Sequence, residues 1–172
     1  MDDPTGVVGF CHRVRPRLVG TLSLLCVDGD AAEELAQETL ARVWLRWSRV
    51  RELDEPLATA WTYRVAINLA NSWLRRRVAE RRARARLAAR VTRAHLDPDP
   101  VDAIAVRQAV AALPRRQRTA LVLRYYADLP VAEVADLMGC APGTVKSLTS
   151  KALTAVRRVE GMQVAEEVTD GP

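Results

Sequence analysis

Apolar residues recur at three- and four-residue steps through most of the chain, the signature of helices that each bury one face. Between residues 7 and 27, Val7, Phe10, Val14, Leu18, Leu22 and Leu25 fall on one side. CVDGD, 26–30, breaks the pattern, and Asp28 or Asp30 can cap the next helix, whose positive N-terminal end suits Glu33 and Glu34. In that second helix, to about Trp47, the expected core face is Ala32, Leu35, Ala36, Thr39, Leu40, Val43, Trp44 and Trp47. Glu34, Gln37, Glu38 and Arg42 are left on the outside. SRVRELDEP, 48–56, is a polar break ending in a proline that fits a helix's first turn. A third helix, 56 to about 78, is expected to bury Leu57, Trp61, Val65, Leu69 and Trp73.

The pattern then changes. Residues 75–93 hold nine arginines and one acid, Glu80, and their apolar positions (Val78, Leu87, Val91) are too few for a core. Helix propensity there is high, so a solvated or partner-ordered helix is expected. In HLDPDP, 95–100, each proline disfavours helix at the Asp before it, which reads as a linker. Periodicity resumes at 101 with Val101, Ile104, Ala105, Gln108 and Ala112 in register. Pro114 opens a helix with Leu121, Val122 and Tyr125 inward. Pro130 opens another, with Val131, Val134, Ala135 and Met138 inward and Gly139 as a left-handed cap. A last helix follows the CAPG turn, from Thr144 to about Arg158, and residues 161–172 read as a mobile acidic tail. The expected fold is all-α: a helical domain over 7–78, a basic linker over 79–100, a second helical domain over 101–160, then the tail.

Composition narrows the function. Of 172 residues 49% are hydrophobic, enough for packed cores. A net charge of +5 permits nucleic-acid binding without showing it. Three scattered cysteines with no CxxC suggest reduced thiols in a cytoplasm. Cys11 and His12 are adjacent, but no second pair has ligand spacing, so no metal and no cofactor is expected. No apolar run is long enough to span a membrane, and the acidic start MDDPTG is unlike a secretory signal. With two His, no nucleophile–base pair and no phosphate loop, no enzyme is expected.

Two short helices joined by a turn of about four residues, the first ending in Gly, fit a helix-turn-helix. Its second helix would then enter the DNA major groove N-terminal end first. Thr144, Lys146, Ser147, Ser150 and Lys151 would face phosphates and base edges, with Arg115, Arg116 and Arg118 along the backbone. The same spacing fits a plain helical hairpin with a solvated face. It also fits an autonomous operator-binding regulator.

LPRRQRTALVLRYYADLPVAEVADLMGCAPGTVKSLTSKAL closely resembles region 4 of the sigma-70 family of bacterial RNA polymerase sigma factors, in its small extracytoplasmic-function group. DAAEELAQETLARVWLRW resembles region 2, and AWTYRVAINLANSWLRRR the promoter-melting and minus-10 segment that follows it. The resemblance covers roughly residues 10–158. It implies a factor that binds core RNA polymerase and directs it to minus-35 and minus-10 promoter elements, assisting melting. Glu34, Leu35, Gln37 and Glu38 match positions that dock on the polymerase clamp coiled coil, and region 4 engages the flap. The resemblance also implies that loop 48–56 captures an unstacked base, with Arg49, Arg51, Arg64, Asn68, Arg75, Arg76 and Arg77 supplying minus-10 contacts. The Arg-rich linker would thread toward the RNA exit path, and an anti-sigma factor would mask the polymerase-binding surfaces.

Several positions depart from the family pattern. Pro130 and Ala141 stand where Ser usually precedes each helix of the helix-turn-helix. Leu148 replaces a cation that in many members faces DNA, Thr149 replaces a core Leu, and Ser72 stands for the usual Asp.

Overall fold

Asp28, one of the two candidate caps, starts the second helix. Its Oδ1 accepts from the Ala31 amide at 3.0 Å, which satisfies one of the amides that a helix start leaves open. The computed structural model describes residues 4–87 and 101–169, with side chains over 6–80 and 106–158, and every regular element among them is helical. The chain divides into two units between Leu96 and Asp97. That boundary falls in 88–100, the part of the linker expected over 79–100 that lies outside the described residues.

The first unit holds α1 (Pro4–Cys26), α2 (Gly29–Leu45), the single turn α3 (Trp47–Val50) and α4 (Glu55–Leu87). Helices α1, α2 and α4 pack pairwise. The face expected of α1 is buried along its length, from Val7 to Leu25. Pro16 removes one helical hydrogen bond, and it lies on the exposed side. Val27 ends α1 in the left-handed region, φ 54°, where a β-branched residue is strained.

On α2, Ala31, Ala32, Leu35, Ala36, Thr39 and Val43 are buried, whereas Trp44 is 52% exposed and does not join the core. Val43 occupies the seam, and the next residue points about 100° further round the helix, given 3.6 residues per turn. Trp47 is half-buried, its ring 5.7 Å from that of Phe10.

The buried face of α4 also differs from the expected one. Ala58, Thr62, Tyr63, Ala66, Ile67 and Ala70 form it; Leu57 is 53% exposed, and Trp61, Val65, Leu69 and Trp73 are half-buried flanks. The alanines let α4 lie close against α1 and α2, and the large side chains wrap the edges of the contact. Buried hydroxyls are satisfied one turn back: Thr21 donates to the Arg17 carbonyl, Thr39 to Leu35 and Thr62 to Ala58, at 2.7–2.8 Å. The helix does not stop at 78 but continues to Leu87, through a stretch of strong helix formers.

The polar break at 48–56 contains more structure than its composition suggests. Val50 on α3 is 2% exposed and anchors the loop. Asp54 Oδ1 accepts from the Leu57 amide at 2.9 Å, capping α4 with Pro56 in its first turn.

The second unit holds α5 (Val101–Ala112), α6 (Arg115–Leu121), a π-helical turn (Val122–Tyr126), α7 (Val131–Met138) and α8 (Pro142–Thr169). Helix α8 packs against α5, α6 and α7. On α5, Ala109 and Val110 are buried, with Leu113 just beyond, whereas the expected Gln108 and Ala112 are exposed. The side chains of Val101, Ile104 and Ala105 lie outside those described. Leu121 and Val122 are buried as expected, but Tyr125 is 61% exposed. The π turn, closed by the Ala127 amide on the Val122 carbonyl at 3.0 Å, turns the register away from a regular α-helix.

Gly139, φ 58°, closes α7 as expected. The Cys140 amide reaches the Ala135 carbonyl at 3.0 Å and the Gly139 amide that of Asp136 at 3.3 Å, the paired bonds of a Schellman cap. Helix α8 buries Val145, Thr149, Ala152 and Val156. It also runs on to Thr169, so most of the segment expected as a mobile tail continues the helix. Met162, Gln163, Ala165, Glu166 and Glu167 favour continuation more than the single Gly161 opposes it.

Candidate functional site

The seam of α8 fixes what its other side presents. With Val145, Thr149, Ala152 and Val156 inward, Thr144, Lys146, Ser147, Ser150 and Lys151 are all exposed on the opposite arc. Arg157 and Arg158 extend that arc, and residues 142–158 contain no carboxylate. A short turn after Gly139 joins α7 to α8, and the two helices pack together, which is the connectivity of a helix-turn-helix. Thr149 is accommodated in the seam because its hydroxyl donates to the Val145 and Lys146 carbonyls, both at 2.9 Å. Leu148 is half-buried at the margin between seam and arc.

Of the arginines expected along the DNA backbone, Arg115 and Arg116 are exposed at the start of α6. Arg118 is half-buried, and its Nη1 donates to the Ala111 carbonyl at 3.2 Å. It serves the C-terminal end of α5, where carbonyls lack helical partners.

On α2, Glu34, Gln37 and Glu38 share an exposed face, with Glu38 paired to Arg42 at 2.9 Å. Leu35, grouped with them by resemblance, is 7% exposed and belongs to the core. The face continues into Trp44, which the periodicity assigned to the core, and Leu45, which it did not single out; at 52% and 81% exposure they make its C-terminal end apolar. Leu45 was legible, lying one turn beyond exposed Ala41 and two beyond Glu38. Tyr125 and Tyr126 are likewise exposed, with the Arg124 guanidinium 6.0 Å over the Tyr125 ring.

Arg49 and Arg51 are exposed in and just after α3, Arg64 and Asn68 on the outer face of α4, and Arg75 and Arg76 further along it. Arg75 donates to the Ser72 hydroxyl at 3.1 Å. Arg77 turns inward instead, with its Nη2 3.3 Å from Asp28 Oδ2. Among the described residues no cluster of His, Cys, Asp and Glu could hold a metal, and no helix is long and apolar enough to cross a membrane. None of the three cysteines is in a disulfide, and burial pushes the Cys11 thiol up from its ordinary value.

These surfaces have counterparts in known proteins. Residues 10–80 match Sigma-70 region 2, and residues 103–156 match Sigma-70, region 4. The chain is 34% identical over 158 residues to an RNA polymerase sigma-E factor of Streptomyces antibioticus, covering 88% of this chain and 84% of that one. It is 32% identical over 146 residues to the ECF RNA polymerase sigma factor SigL of Mycobacterium tuberculosis, covering 77% of each. Among solved structures, the sigma factor RpoE of Bartonella quintana, in complex with the anti-sigma factor NepR, has a similar fold. The TM-score is 0.69 at 24% identity, over 86% of this chain and 92% of that one. The chain therefore belongs to the sigma-70 family, as an extracytoplasmic-function sigma factor of RNA polymerase that acts in transcription initiation.

Proposed function

We propose that the outer face of α2 holds core RNA polymerase while α3, its loop and α4 engage the minus-10 element and α8 reads the minus-35 element. Glu34, Gln37 and Glu38 offer carboxylates and an amide to the clamp coiled coil, and Trp44 and Leu45 add the apolar surface that a stable interface core needs. Extruding a base costs a few kcal/mol. Arg49, Arg51, Arg64, Asn68, Arg75 and Arg76 surround the path with cations and one amide that offset this cost on the displaced strand. Lys146 and Lys151 supply salt-dependent phosphate contacts, and Thr144, Ser147 and Ser150 supply hydroxyls to base edges.

The observation that carries this reading is the one-sided chemistry of α8, an apolar seam opposite an arc of cations and hydroxyls with no acid from 142 to 158. The second unit also meets the flap, and the whole works in the cytoplasm without catalytic chemistry of its own. The RpoE structure contains an anti-sigma factor, and the α2 face is the surface that such a partner would mask here.

The test compares DNA binding with and without polymerase. Labelled promoter fragments should bind weakly to the protein alone and tightly once core polymerase is added. Tight, sequence-specific binding by the protein alone would instead mark an autonomous operator-binding regulator.

A further inference from the structure

Among the described cationic side chains of α4, Arg77 is the one that the fold holds on several sides. Its Nη2 lies 3.3 Å from Asp28 Oδ2, its guanidinium carbon lies 5.3 Å over the Trp73 ring, and its Nε is sealed from solvent with no acceptor. Asp28 is equally committed, since its other oxygen caps α2 through the Ala31 amide at 3.0 Å. One carboxylate thus joins the start of α2 to a point on α4 that is 49 residues away in sequence. Arg75 and Arg76, the neighbours just before, are exposed.

We propose that Arg77 is a positioning residue and not a DNA contact: its contact with Asp28 latches α4 to the first turn of α2 and sets the direction in which Arg75 and Arg76 are presented to promoter DNA. A guanidinium with one face over an indole and one nitrogen on a carboxylate has committed part of its stacking surface and of its fork to the protein. To reach a phosphate it would have to leave both Trp73 and Asp28. Planarity explains why Arg occupies this site, since a lysine offers a point charge without the stacking surface. The consequence for DNA rests on the promoter-engaging role proposed above, whereas the latch itself stands on geometry alone.

The experiment has two arms, each on the full-length protein. The first measures thermal unfolding of Asp28→Asn, Arg77→Gln and the double variant. Asn caps a helix as well as Asp does, so Asp28→Asn removes the charge while keeping the cap. The latch predicts that each single change lowers the melting temperature and that the double variant is no worse than the worse single one. Additive losses, or none, overturn the latch whether or not the protein engages promoters.

The second arm measures promoter affinity of the polymerase-bound protein across a salt series, at a temperature where circular dichroism shows every variant folded. Arg77→Gln and Asp28→Asn should each weaken promoter binding roughly threefold to tenfold at every salt concentration. The slope against log salt should stay at the wild-type value, and affinity for core polymerase should not change. Arg76→Gln should instead reduce the slope by about 0.7 to 0.9, the loss of one phosphate contact. A slope reduction of that size in Arg77→Gln, with Asp28→Asn at wild-type affinity, would make Arg77 a DNA contact and overturn the proposal. Wild-type promoter affinity in both latch variants would overturn the positioning role. If polymerase-bound wild type shows no promoter preference, the functional reading fails while the thermal cycle still decides the latch.

Discussion

The rings of Phe10 and Trp47 meet at a centroid separation of 5.7 Å, tilted by 42°. This contact fastens the single-turn helix α3 to α1, and α3 carries Arg49 toward the proposed minus-10 path. A polar loop is thereby held from below by an aromatic pair and by Val50.

Phe10→Ala should cost about 3 to 5 kcal/mol, the usual range for emptying a buried aromatic site. Urea unfolding of the full chain checks this. Trp44→Ala should change stability by less than about 0.5 kcal/mol, because 52% of Trp44 already faces solvent. It should nevertheless weaken polymerase binding, and a pull-down titration separates the two effects.

Gln37→Ala combined with Glu38→Lys should abolish transcription through loss of polymerase binding while helix content survives. The only intramolecular pair this breaks among the described contacts is the exposed Glu38–Arg42 bridge, worth about 0.2 to 0.5 kcal/mol. Normal polymerase capture by the folded variant would remove this face from the docking surface.

Much of this architecture was legible in the sequence. The buried face of α1, the Gly139 cap and the choice of Asp28 or Asp30 as the α2 cap follow from period and local chemistry. The α4 core was not, because hydropathy gives weight to Leu57 and the tryptophans, whereas close helix packing selects the small side chains Ala58, Ala66 and Ala70. Tyr125 was misplaced because a π turn changes the period in mid-helix, which no 3.6-residue pattern reveals. On the candidate surfaces, the α8 arc was readable as one face. The inward roles of Arg118 and Arg77 were not, since each bonds to a group that only the folded chain brings near.

Asp54→Ala should destabilise the first unit by about 1 kcal/mol by removing the α4 cap. It should also loosen the junction between the proposed base-capture loop and α4. Thermal unfolding reads the first effect, and faster amide exchange at Leu57 reads the second.

Lys146→Ala should weaken minus-35 occupancy and lower the slope of log affinity against log salt by about 0.9. Folding should be unaffected, because Lys146 lies on the exposed arc of α8. An unchanged slope would take Lys146 off the list of phosphate contacts.

The central claim is that this chain confers promoter choice on polymerase. Its most direct test is run-off transcription with purified protein, core RNA polymerase and a pool of genomic promoter fragments. Discrete transcripts that require the protein, sharing an upstream pair of minus-35 and minus-10 elements, are the expected result. Absence of any protein-dependent transcript, with active core and folded protein confirmed, would contradict it.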